Sequence, residues 1–211
     1  MELYKIFIGL HIAGGSAGLL SGIFVLLTQK GNTRHKLLGN FFHWGMNIAG
    51  LTSLALSQMR PNSFLFLVGV FTLYMNYTGK KYLSYQNKAS KPEWLDHAVS
   101  LTMLSVAILF IWKGNILLKS DSFGWVYVAY GFISLFMTLG DFRFALQKEP
   151  PAFAWLQYHL QRMIGTFIAA ATAFLVVNVN MKPAYLIWLA PTAILTPLII
   201  FWSQQYKNKR P

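Results

Sequence analysis

Residues 4–27 read YKIFIGLHIAGGSAGLLSGIFVLL, twenty-four positions with Lys5 as the single formal charge. At 1.5 Å per residue, a helix of this length spans the ~30 Å hydrocarbon core of a bilayer. The next nine residues, TQKGNTRHK (28–36), are polar and basic, and Gly31-Asn32 suits a tight reversal. A second apolar run, Leu37–Met59, follows at once. This apolar–basic–apolar pattern continues to the end of the chain. Further runs occupy Ser63–Tyr82, Trp94–Trp112, Phe123–Phe142, Gln157–Asn178 and Ala184–Ser203, giving seven in all.

The cations between the runs alternate. Twelve fall in one set of gaps: Lys30, Arg34, Lys36, Lys80, Lys81, Lys88, Lys91, Arg143, Lys148, Lys207, Lys209 and Arg210. Five fall in the other: Lys5, Arg60, Lys113, Lys119 and Lys182. The positive-inside bias then predicts a polytopic all-α bundle of seven transmembrane helices, N-terminus outside and C-terminus cytoplasmic. Only 11% of residues are charged, against about 25% in soluble domains, and mean hydropathy is +0.44. Seven helices use nearly all 211 residues, so the expectation is a single transmembrane helical domain, 1–211.

The net charge of +12 is carried by loops on one side, which points to anionic lipid headgroups rather than nucleic acid. With no cysteine, thiolate metal sites, iron–sulfur clusters and cysteine nucleophiles drop out. The opening Met-Glu-Leu-Tyr-Lys lacks the basic n-region of a cleaved signal, so the first run reads as a retained helix. None of the six acidic residues lies mid-span, and Asp96 and Asp141 fall near the cytoplasmic ends of theirs. That pattern counts against a carboxylate-based coupled transporter and leaves a histidine relay open.

Punctuation adds detail. Ser90-Lys91-Pro92-Glu93 reads as a helix start with Pro92 in the first turn, Pro150-Pro151 precede the sixth helix, and Pro183 precedes the seventh. Pro191 and Pro197 inside the seventh helix predict a kink or local opening. Gly14, Gly18 and Gly22 on the first helix, and Gly165, Ala169 and Ala173 on the sixth, clear flat faces for close helix packing or a planar ligand. The tryptophans, mostly near span ends, read as an interfacial belt.

Chemistry gathers on the cytoplasmic side. Of five histidines, only His11 falls in the outer half; His35, His43, His97 and His159 share the inner side. Asn40, His43 and Asn47 form an i, i+3, i+7 stripe on the second helix. His159 and Arg162 share a face of the sixth, and Arg162 is the one cation that no loop accommodates. The expected site is a cytoplasm-facing polar pocket with His43, His97, His159 and Arg162 as cofactor-binding residues and His11, Asn40, Asn47, Asp96 and Asp141 as further lining. Three uses fit it. One is a b-type haem with His43 and either His97 or His159 as axial ligands and Arg162 near a propionate. Another is a metal or general-base site of a membrane hydrolase, for which every ligand must come from a different helix. The third has no cofactor: interfacial histidines and structural hydrogen bonds, or a pocket for a small polar ligand or lipid in a binding or transport protein.

The run His11-x-x-Gly14-Gly15-x-x-Gly18-x-x-x-Gly22 followed by Lys30-Gly31-x-x-x-His35-Lys36-x-x-Gly39 resembles a family of bacterial multi-pass inner-membrane proteins of unassigned activity. His159-x-x-Arg162-Met163-Ile164-Gly165 resembles a later motif of that family. The resemblance covers about the first third of the chain plus the sixth helix. It implies a bacterial multi-pass protein and draws attention to His11, His35 and His159. A looser similarity to transmembrane b-type cytochromes rests on histidines in helical bundles. Those proteins pair histidines on both sides of the membrane, so with His11 alone in the outer half this chain has room for one haem at most.

Overall fold

The computed structural model describes residues 2–87, 90–182 and 185–208. Among them are seven α-helices: α1 (Glu2–Leu27), α2 (Thr33–Met59), α3 (Ser63–Lys81), α4 (Trp94–Leu117), α5 (Gly124–Leu146), α6 (Ala154–Asn178) and α7 (Tyr185–Asn208). A 3-10 turn, Tyr82–Gln86, extends α3. The seven apolar runs correspond one to one with these helices. Lys88, Pro183, Ala184, Lys209 and Arg210, used in the sequence reading, lie outside the described residues.

Five helices, α1, α4, α5, α6 and α7, are long and apolar enough to cross a membrane. Their outward faces carry Leu20, Phe24, Leu109, Phe136, Ile194 and Phe201, all exposed. An apolar surface on this scale fits an integral membrane protein, for which lipid is the solvent. The helices α2 and α3 are less apolar because they carry polar residues. Thr52, Ser53 and Ser57 of α2 and Thr72, Asn76 and Thr78 of α3 are buried against protein.

Local chemistry explains the helix limits. Gly31 adopts φ +84°, the left-handed conformation a reversal needs, and Asn32 caps α2 by accepting from the His35 N–H at 2.7 Å. The start of α4 differs from the expectation. The helix begins at Trp94, and Glu93 and Asp96 form a reciprocal capping box, which leaves Pro92 just outside the helix. Carboxylate caps satisfy two orphan N–H groups here, which is more than Ser90 or Lys91 offered. Helix α7 runs unbroken through Pro191 and Pro197.

The helices pack mainly as neighbours in sequence: α1 on α2, α2 on α3, α4 on α5 and α6 on α7, with α3 also against α6. Helix α3 is central. Leu67, Phe71, Tyr74 and Met75 join Met103, Val106 and Phe110 of α4, Tyr127 of α5 and Ala169 of α6 in the main apolar core. The glycine face of α1 is spent on packing. A Cβ at Gly14 would meet Ile48 Cγ2 at 2.7 Å, and one at Gly22 would meet Phe167 Cδ2 at 2.5 Å. Across the seam, a Cβ at Gly45 would lie 2.7 Å from the Gly14 carbonyl oxygen and 2.7 Å from the Gly18 nitrogen. The two backbones touch, and no planar gap is left between them.

Candidate functional site

The pocket residues divide between two opposite faces of α3. On one face Tyr74, Tyr77, Thr78 and Lys81 look toward α4 and α5; on the other Asn76, Gly79 and Lys80 look toward α2 and α6.

The first face centres on a buried ion pair. Arg162 is 1% exposed and Asp141 9%, and Arg162 Nη2 donates to Asp141 Oδ1 at 2.5 Å and to the Met137 carbonyl at 2.8 Å. Three hydroxyls complete the carboxylate: Tyr74 donates to Oδ2, Ser100 to Oδ2 at 3.1 Å, and Tyr82 to Oδ1 at 2.7 Å. A carboxylate offers about four acceptor sites, so Asp141 is saturated. The guanidinium lies 5.2 Å from the Tyr74 ring centre and 5.9 Å from that of Tyr158, within cation–π range. Its Nε and Nη1 have no hydrogen-bond acceptor among the described residues. Tyr158 stacks on Tyr82 at 4.5 Å and donates to the Gly140 carbonyl at 3.0 Å.

A second carboxylate sits one helix away. Asp96 accepts from Tyr77 at 2.8 Å, from Tyr85 at 2.9 Å and from the Glu93 N–H at 2.7 Å, with Lys81 Nζ at 3.6 Å. Burial pushes the Tyr85 hydroxyl well above the usual phenol range, and the Asp96 carboxylate pushes the same way. It stays protonated as a fixed donor. Together these bonds tie α3, the 3-10 turn, α4, α5 and α6 at one end of the bundle.

Two spaces adjoin this network. A cavity of about 30 Å³ lies among Thr78, Tyr82, Asp96, His97, Ser100 and Asp141, which is room for a water or two. It shares Tyr85, Pro92, His97, Phe144 and Ala145 with a cleft of about 630 Å³, whose other walls include Gln86, Lys91, Gln147, Lys148, Glu149 and Trp155. The cleft alone is ligand-sized.

The opposite face of α3 holds the remaining histidines. His159 Nδ1 meets the Gly79 carbonyl at 2.7 Å. His43 Nε2 meets Asn47 Nδ2 at 3.1 Å, while Asn76 donates to the His43 carbonyl at 2.8 Å. Asn40 accepts from Lys80 at 2.5 Å. His11 stands apart on α1, its Nδ1 3.0 Å from the Ala49 carbonyl and 3.1 Å from Thr52 Oγ1. The structure therefore brings Arg162, Asp141, Asp96 and His97 to one place, and His43, Asn47, Asn40 and His159 to another.

This arrangement does not fit a bis-histidine haem. His97 is exposed on one face of α3, while His43 and His159 bind partners on the other. The small-residue faces that a ring would need are filled: Gly14 and Gly22 by Ile48, Phe42 and Phe167, and Gly165 by the Met75 methyl. Among the described residues, no group of three or more His, Asp or Glu side chains is placed to hold a metal ion.

Sequence reasoning missed the tyrosines. Tyr74, Tyr77, Tyr82 and Tyr85 recur at steps of three, five and three, close to one face of a helix and its 3-10 extension. A stripe of hydroxyls opposite two carboxylates was the available signal. Compared with protein-family models, curated proteins and solved structures, the chain matches none.

Proposed function

We propose that this chain is a multi-pass protein of the bacterial inner membrane that binds a small polar ligand in the cleft above the Asp96 and Asp141 networks. All seven helices cross, with the N-terminus outside and the cleft open to the cytoplasm. At 1.5 Å per residue, α2 and α3 reach roughly 40 and 28 Å, and Thr52, Ser53, Ser57, Thr72, Asn76 and Thr78 turn inward. The twelve-to-five split of Lys and Arg supports the sidedness. The observation that carries the ligand reading is the cleft itself. It is ligand-sized and lined by amides, aromatic rings, the cations Lys91 and Lys148 and the Glu149 carboxylate. Asp96 and Asp141 line the small cavity beside it, so the groups a ligand meets in the cleft include His97, Lys91, Gln147, Lys148, Glu149 and Trp155.

Sidedness is read with reporters. A fusion after Arg210 should be active only in the cytoplasm, and one inserted between Lys113 and Asp121 only outside. Periplasmic activity of the C-terminal fusion reverses the assignment.

Ligand binding is read by thermal unfolding of the purified protein against a panel of small polar metabolites. At ten times Kd a true ligand adds about 1.4 kcal/mol, which is roughly 3–6 °C for a chain of this size. His97→Ala and Trp155→Ala should reduce that shift. A shift that both variants leave intact places the ligand elsewhere, and a panel with no shift removes the support for a ligand cleft.

A further inference from the structure

Between Leu3 and Pro92 the sequence contains no Asp or Glu. One consequence is a corner of the bundle with positive charge and no counter-charge. Lys80 reaches from the end of α3 to Asn40, which sets its ammonium beside the first turns of α2. Arg34 and Lys36 occupy exposed positions in those turns. Among the described residues the ion pairs lie elsewhere, at Lys5–Glu2, at Lys81 with Glu93 and Asp96, and at Arg162–Asp141. His35 lies at the same corner, and its buried Nδ1 has no hydrogen-bond partner among the described residues.

An apolar track leads away from this corner. Leu37, Phe41, Trp44, Ile48 and Leu51 follow steps of four, three, four and three along α2, and all are exposed. That spacing keeps them on one stripe of the helix, beginning one turn from Asn40 and Lys80. Cations at one end of an exposed apolar stripe match a phosphate joined to an acyl chain. Free phosphate would use the cations and leave the stripe without a role.

We propose that this corner binds an anionic phospholipid of the inner leaflet, its phosphodiester against Lys80, Lys36 and Arg34 and an acyl chain along Leu37–Leu51. The site is separate from the cleft at His97 and rests only on the membrane placement of the chain, so it stands or falls independently of the cleft ligand.

Native mass spectrometry of the detergent-purified full chain, titrated with phosphatidylglycerol, phosphatidylcholine or inorganic phosphate, tests it. Phosphatidylglycerol should bind about tenfold more tightly than phosphatidylcholine, and Lys80→Gln and Lys36→Gln should each weaken it about fivefold, the usual effect of one cation near an anionic lipid surface. Arg143→Gln, which removes a cation from the last turn of α5, should leave it unchanged, and circular dichroism checks that each variant is folded. Equal weakening by Arg143→Gln would reduce the site to general surface charge. Absence of a phosphatidylglycerol preference overturns it, and displacement of the lipid by millimolar inorganic phosphate reassigns the corner to free phosphate.

Discussion

Arg162→Ala should cost about 3–5 kcal/mol of stability, the range measured when one partner of a buried ion pair is removed. The physical cause is the carboxylate left behind. Asp141 is 9% exposed, and it would keep three hydroxyl donors but lose the one cation it pairs with among the described residues. The Met137 carbonyl would lose its donor as well. For a protein of this length, about 3–5 kcal/mol corresponds to a fall in Tm of roughly 6–20 °C. Removing both charges with the double change Arg162→Met and Asp141→Leu should be milder than Arg162→Ala alone, because no uncompensated charge remains. Thermal unfolding in detergent, followed by tryptophan fluorescence, measures both variants against the parent chain. If Arg162→Ala costs less than about 1 kcal/mol, water reaches the pair and it is not a buried tie.

Gly45→Ala should destabilise by about 1–3 kcal/mol, and Gly45→Leu by more, because the added carbons meet backbone rather than mobile side chains. The Cβ would sit 2.7 Å from the Gly14 carbonyl oxygen and 2.9 Å from the Gly18 Cα, so α1 must move away from α2. Gly15 is the control. Nothing lies within 4 Å of a Cβ built there, and Gly15→Ala should be neutral or stabilising by up to about 1 kcal/mol through helix propensity. Equal unfolding midpoints for the two alanine variants would show that the α1–α2 seam has slack.

The helices were legible because hydropathy is a local property. Each apolar run needed only its own residues to declare a helix, and the predicted Leu37–Met59 and Gln157–Asn178 differ from α2 and α6 by a few residues at the N-terminal ends. Arg162 was legible as an anomaly, since a cation inside a span needs a partner. Which partner it takes depends on packing. Nothing local distinguishes Asp141 from Asp96, and the choice is made by the approach of α5 to α3 and α6. The histidines misled for a related reason. The basic-residue pattern puts His43, His97 and His159 on one side of the bundle, but sidedness does not fix azimuth. The two faces of α3 send them to different neighbours. Tyr74, Tyr77, Tyr82 and Tyr85 carried no local signal of their partners, because a tyrosine near a span end reads the same whether its hydroxyl faces water or a carboxylate.

Chain order gives the Asp141 cluster a further meaning. Tyr74, Tyr82 and Ser100 precede Asp141 in the sequence, and Arg162 follows it by 21 residues on the next helix. A nascent chain leaving the ribosome therefore supplies the three hydroxyls before the acid, and the acid before its cation. Arg162 is thus the last member of the cluster to be made, and its bond to Asp141 joins α6 to the ties among α3, the 3-10 turn, α4 and α5.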